Sequence, residues 1–334
     1  MNWLSLRFIR RNRHLLFLLL PISVLAIANV FFEHSLEPSR GGTDCVARLF
    51  PSGGIDPSRL STIREIGARF LWLASSLALT LTSLASIGIS WLAMRACLPR
   101  GRCAFATLLA LALAAGHLAY FHLVPTNLKC VNFDLTLKLL RDSSKFSEGF
   151  LDQQILPVAY VVAVISIVAA TFLVVAATGT ANLPRMRSDT DSARAGIHMA
   201  RLRNVLYIGS IMLITGIFNM GAWMRWPVAL FPADAANEII GMALGVGTFW
   251  GATFTLTAIA AYVPAAVYVQ KKAVEDFRRF NPDKTPAEQE AWLKDRKLTI
   301  SPGSQLIPIA AMAGPLVATP VGALLNHVLK QLAE

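Results

Sequence analysis

Few residues in this chain are able to do chemistry, and they are widely scattered. His117 and His122 share one apolar run, and His34 lies just beyond the end of another. Five residues separate His117 from His122, about 7.5 Å of helical rise and about 500° of rotation, so their rings point in different directions. His34 and His122 are the better-matched pair, and two such neutral imidazoles are the ligands haem or copper would need. Imidazoles packed at a membrane edge and bonded to backbone explain the same residues without a cofactor, and none is assigned. Four cysteines form the second set. Cys97 and Cys103 stand close in sequence without neighbouring histidines, which is poor spacing for zinc. Cys45 and Cys130 lie in separate polar segments. If those segments face an oxidising compartment, a Cys45–Cys130 disulfide would tie them together.

The third set consists of small residues. Ser75, Ala78, Thr82, Ser86 and Ser90 recur at three- and four-residue spacing, and two Gly-x3-Gly pairs follow at Gly241/Gly245 and Gly247/Gly251. Such stripes let helices approach closely in lipid, within one chain or between copies. Packing within one chain is the leading reading; self-association, or a polar pore lined by the hydroxyls of Ser75, Thr82, Ser86 and Ser90, is the alternative. No phosphate-binding loop, kinase signature, nucleophile elbow, His-Glu-x-x-His pair or dinucleotide fingerprint occurs.

The elements that carry these residues follow from composition. The chain has 334 residues, 54% hydrophobic and 15% charged, where a soluble domain averages about 25% charged. Its mean hydropathy is +0.52. Charge-free apolar runs cover Leu15–Phe32, Phe70–Met94, Ala104–Leu123, Ile155–Ala177, Val205–Met224 and Ile239–Val269. Each is long enough to cross a bilayer core as a helix. Continuous rather than alternating hydrophobicity excludes an outer-membrane barrel. The sequence therefore predicts an all-α membrane protein, a polytopic bundle of six transmembrane helices.

The six spans divide the chain into a basic cytoplasmic N-terminus (1–14), a bundle (15–269) and a cytoplasmic helical tail (270–334). Outer loops are expected at 33–69 and 124–154. Within the tail, 306–325 is apolar and long enough to span, but Pro308, Pro315 and Pro320 interrupt it. A broken seventh span and a re-entrant segment or one packed at the cytoplasmic face both fit. The run Arg7–Arg13 followed by Ala26-Ile27-Ala28 also imitates a secretory signal with a cleavage site; an uncleaved first span suits a multi-pass chain better.

Orientation rests on the basic residues. With the N-terminus cytoplasmic, 21 of the 31 Lys and Arg fall on inner segments and 10 on outer ones. That asymmetry predicts N-in topology and, with no glycosylation sequon present, a bacterial inner membrane. The net charge of +11 then reflects topology and attraction to anionic lipid headgroups at the cytoplasmic face rather than nucleic-acid binding.

None of the six runs holds Asp, Glu, Lys or Arg, which argues against an ion-coupled pump. The leading expectation is a scaffold, sensor or membrane effector that works by non-covalent assembly, as a homo-oligomer or with a membrane partner protein. A channel or transporter for a small or uncharged solute is one alternative, and a haem- or quinone-linked redox protein another. Trp72, Tyr120, Trp223 and Trp226 at one set of helix ends, and Trp91, Tyr207 and Tyr268 at the other, are expected to form interfacial belts. Trp250 is expected to pack inside the bundle.

Overall fold

A computed structural model describes residues 59–124, 126, 129–143, 146, 149–183, 192–299 and 307–318, together with Ile22, which is helical. The expected first span, the N-terminal basic segment, Cys45, His34 and the tail beyond residue 318 lie outside the described residues. What is described is helical, with no strand among the described residues.

Proline sets many of the helix boundaries. Helix α1 (Arg59–Cys97) stops at Leu98 because Pro99 disfavours the helical region for the residue before it. Pro99 itself is the N-cap of α2 (Arg100–Leu123). Val124, preceding Pro125, is extended and ends α2. A π-helical turn (Cys130–Asp134) leads into the short α3 (Leu135–Arg141), and a second (Leu151–Ile155) leads into α4 (Leu156–Thr180). Helix α5 (Ser192–Arg225) continues as a 3-10 turn (Trp226–Leu230) around Pro227, and Pro232 caps α6 (Ala233–Phe280). Thr285 opens α7 (Pro286–Asp295) with a capping box: its hydroxyl accepts from the Glu288 N–H, and the Glu288 carboxylate accepts from the Thr285 N–H. The last described element is α8 (Ile307–Ala318).

Five of these helices, α1, α2, α4, α5 and α6, are long and apolar enough to cross a membrane. They coincide with five of the six expected runs, but all extend further. The expected outer loop 33–69 is therefore shorter than its bounds, since residues from Arg59 onward are already helix. The connection between α1 and α2 consists of Leu98 and Pro99, with Cys97 and Cys103 both inside helix ends. The sequence places boundaries at charged residues, whereas a helix keeps its hydrogen bonds as it emerges among headgroups.

Helix α1 is central, packing chiefly on α4 and α5; α6 packs on α5, and α2 on α4. The antiparallel order puts Trp72, Trp223 and Trp226 at one end of the bundle, here the tryptophan end. Cys97, Cys103 and the α5 residues Arg201 and Arg203 lie at the other, the basic end. Two hydrophobic cores correspond to these ends.

Helix α8 lies against α5 and α6 at mid-depth. A Cβ at Gly251 of α6 would come within 2.7 Å of the Pro315 carbonyl oxygen, and one at Gly314 within 2.7 Å of the Ile214 side chain. Gly251 thus has no side chain because the α8 backbone occupies that space. At about 18 Å, α8 covers roughly half a bilayer core. Pro308 near its start and Pro315 inside it do not prevent this short helix.

Candidate functional site

Three polar assemblies occur along the bundle. The first is at the tryptophan end. Glu65, in the second turn of α1, is only 5% exposed. Its Oε1 accepts a hydrogen bond from Trp226 Nε1 at 3.0 Å and lies 3.4 Å from Arg69 Nε one turn along α1. Both donors converge on one oxygen, so the carboxylate is buried with a charge partner and a hydrogen bond, as a buried ion requires. The Arg69 guanidinium also stands 5.3 Å from the Phe150 ring centroid.

Around this pair the rings stack. Trp72 lies 5.4 Å from Trp226 and 5.2 Å from Trp223, and Phe133 stacks on Trp223 at 5.2 Å. Phe146 meets Trp226 edge-on. The expectation of an interfacial belt is corrected for the three tryptophans at this end, since Trp72 and Trp226 are fully buried and Trp223 nearly so, whereas Tyr120 is exposed. Their indoles fill the space between helix ends instead of facing headgroups, because α3 and the two π-helical turns cover them. Nearby, desolvation pushes the Asp134 carboxyl above its ordinary value, against the opposing pull of Lys129 and Arg141.

The second assembly is a seam of uncharged polar groups that runs along α1 from one turn inside the tryptophan end toward the basic end. Asn219 of α5 donates to Ser76 Oγ at 2.7 Å and to Ser75 Oγ at 3.1 Å on α1. Thr82 and Thr215 bond across the same interface at 2.9 Å, and Ser83 reaches Ser166 of α4 at 3.4 Å. Ser86 bonds its own helix at Thr82 O, with a longer contact to Ile208 O. Ser90 Oγ is buried without a hydrogen-bond partner among the described residues. The expected stripe of Ser75, Thr82, Ser86 and Ser90 therefore faces other helices, with Ser86 and Ser90 fully buried. The glycine pairs divide. Gly247 and Gly251 are buried, whereas Gly241 and Gly245 are exposed, with nothing among the described residues within 4 Å of a Cβ there.

The third assembly is at the basic end. Imidazole Nδ1 of His198 is 2.7 Å from Thr180 O, and Arg102 donates to Asn182 Oδ1 at 3.4 Å. The Lys272 ammonium donates to the Leu183 carbonyl, which fastens the α4 C-terminus to α6. Cys97 and Cys103 are free and buried.

Of the three histidines considered as haem candidates, His34 lies outside the described residues. His117 and His122 are both exposed on α2, with His122 against Tyr160 at 5.6 Å between centroids. No group of three His, Cys, Asp or Glu able to hold a metal occurs among the described residues. Trp250 packs between Phe249 and Phe254.

Sequence reasoning missed Glu65 and Arg69, which fell in the expected outer loop. Their i,i+4 spacing immediately before Phe70 is the signal of a helix extending outward past its apolar run. No family model, no curated protein and no solved structure matches the chain.

Proposed function

We propose that this chain is a multi-pass protein of the bacterial inner membrane that acts by non-covalent assembly, as a scaffold, sensor or membrane effector. One observation supports this reading above others. The polar side chains within the bundle bond from helix to helix, as Asn219 does to Ser75 and Ser76, and Thr215 to Thr82. Groups used in this way hold a bundle together instead of solvating a passing solute. The exposed Gly241/Gly245 face offers a close-approach surface for a second copy or a membrane partner.

The N-terminus is cytoplasmic in this reading, and the tryptophan end faces outward. In the same reading a Cys45–Cys130 disulfide ties the two outer loops, while Cys97 and Cys103 are free. Non-reducing mass spectrometry of protein from intact membranes should yield a Cys45–Cys130 cross-linked peptide, and alkylated thiols at both positions would remove the link.

The main test compares two measurements on the full chain. Isolation in mild detergent should retain a defined stoichiometric complex, with itself or a partner, that Gly245→Leu disrupts. Solute flux in proteoliposomes, abolished by Asn219→Leu in a protein that still folds, would replace assembly with transport.

A further inference from the structure

On the outside of the bundle, at its basic end, a groove of about 320 Å³ runs between α1 and α5. Its two halves differ in chemistry. Arg201, Asn204 and Tyr207 of α5 line the part nearest the membrane surface, and Ile208 and Ile211 continue the same side toward the bundle middle. Ile89, Leu92 and Ala93 of α1 form the facing wall. The spacing 201, 204, 208 and 211 keeps these side chains on one stripe of the helix. From Arg201 to Ile211 the stripe rises about 15 Å, the hydrocarbon depth of one leaflet.

We infer that this groove holds one anionic phospholipid, its phosphate on Arg201 and one acyl chain along Ile89, Leu92, Ile208 and Ile211. The charge is complementary: Arg201 has no ion-pair partner among the described residues, and no acidic side chain lines the groove. A guanidinium binds phosphate oxygens through paired N–H donors, and the Asn204 amide and Tyr207 hydroxyl add neutral donors beside it. The apolar half then meets a chain of matching length. The inference rests on the membrane-spanning reading alone; it stands whether the protein assembles or transports.

Native mass spectrometry of the detergent-purified full chain tests it with phosphatidylglycerol and phosphatidylcholine of identical acyl chains. Phosphatidylglycerol should be retained in preference. Arg201→Gln should lower its retention about fivefold, the effect of about one basic side chain at a membrane surface. Arg201→Lys should keep most of the preference, and Ile208→Trp, which fills the groove, should weaken both lipids. Equal retention of the two lipids by the native protein would overturn the site. So would displacement of phosphatidylglycerol by glycerol 3-phosphate, which would mark a soluble anion as the ligand. A photo-reactive residue at Leu92 should cross-link to lipid, and cross-linking to protein would show that another segment or a second copy covers the groove. The native-protein arms decide the matter even where Arg201→Gln fails to fold.

Discussion

At one end of the bundle Trp72, Trp223 and Trp226 fill the space between helices; at the other, Ala93 of α1, Ala176 of α4 and Ala265 and Ala266 of α6 share a core with aliphatic side chains such as Met94, Leu183 and Met199. Glycines sharpen the contrast at the basic end. A Cβ at Gly209 of α5 would sit 3.2 Å from Leu173 of α4, and one at Gly179 would sit 3.2 Å from Leu98. Small residues let backbones approach until dispersion contacts are dense without large side chains. Rings do the opposite, bridging a wider gap with a few bulky contacts. One end is therefore sensitive to lost volume and the other to added volume.

The largest expected effect of breaking this contrast is at Trp226. Trp226→Ala should cost about 3–5 kcal/mol, because it opens a large cavity. It also leaves Glu65 with Arg69 as its remaining partner among the described contacts. Denaturation followed by intrinsic fluorescence in detergent would measure it. Trp226→Phe keeps most of the ring and loses only the N–H, so it should cost about 1–3 kcal/mol. Equal losses in the two variants would show that the hydrogen bond to Glu65, not the volume, holds this end.

The mirror-image change is Ala176→Leu at the basic end, where the residue is fully buried. Overpacking there should destabilise by about 1–3 kcal/mol in the same assay. A neutral or stabilising result would mean that the alanine end contains unfilled space, and the contrast would fail.

The smallest effect lies beyond the bundle, at the start of α7. Backbone and side-chain hydrogen bonds from Thr285, with Lys284 beside it, hold the Glu288 carboxyl below its ordinary value of 4.5. A depressed carboxyl stabilises the fold above its unfolded value and loses that contribution as pH falls through the lower folded value. Protection of the Gln289 amide, which donates to Thr285 O, should therefore decline below pH 4.5. Glu288→Gln, which removes the titrating carboxyl, should flatten that decline. An unchanged pH profile in that variant would detach the effect from the capping box.

These two ends were not equally legible in the sequence. Charge-free runs locate five helices because lipid excludes charge over a fixed thickness. The small-residue stripe on α1 is legible for a related reason: spacing on one helix is a local property. The aromatic cluster is not local. Trp72 and Trp226 are 154 positions apart, and nothing in either neighbourhood specifies that the two rings meet. Glu65 was hidden similarly, because a carboxylate beside an apolar run reads as the start of a loop until its distant Trp226 donor is placed.

Helix α6 has 48 residues, so it is about 72 Å long, whereas a bilayer with its headgroups is about 40–45 Å thick. It starts beside the tryptophan cluster and ends where Phe277 packs on Trp292 of α7, 4.9 Å between centroids. Such a rod acts as a lever: a tilt of about 5° carries its far tip about 6 Å sideways. Pro264 is the point of give along it, since a proline nitrogen cannot donate to the carbonyl of Ala260. One continuous helix thus connects the tryptophan cluster with the α7 contact, its hydrogen-bond ladder interrupted at Pro264.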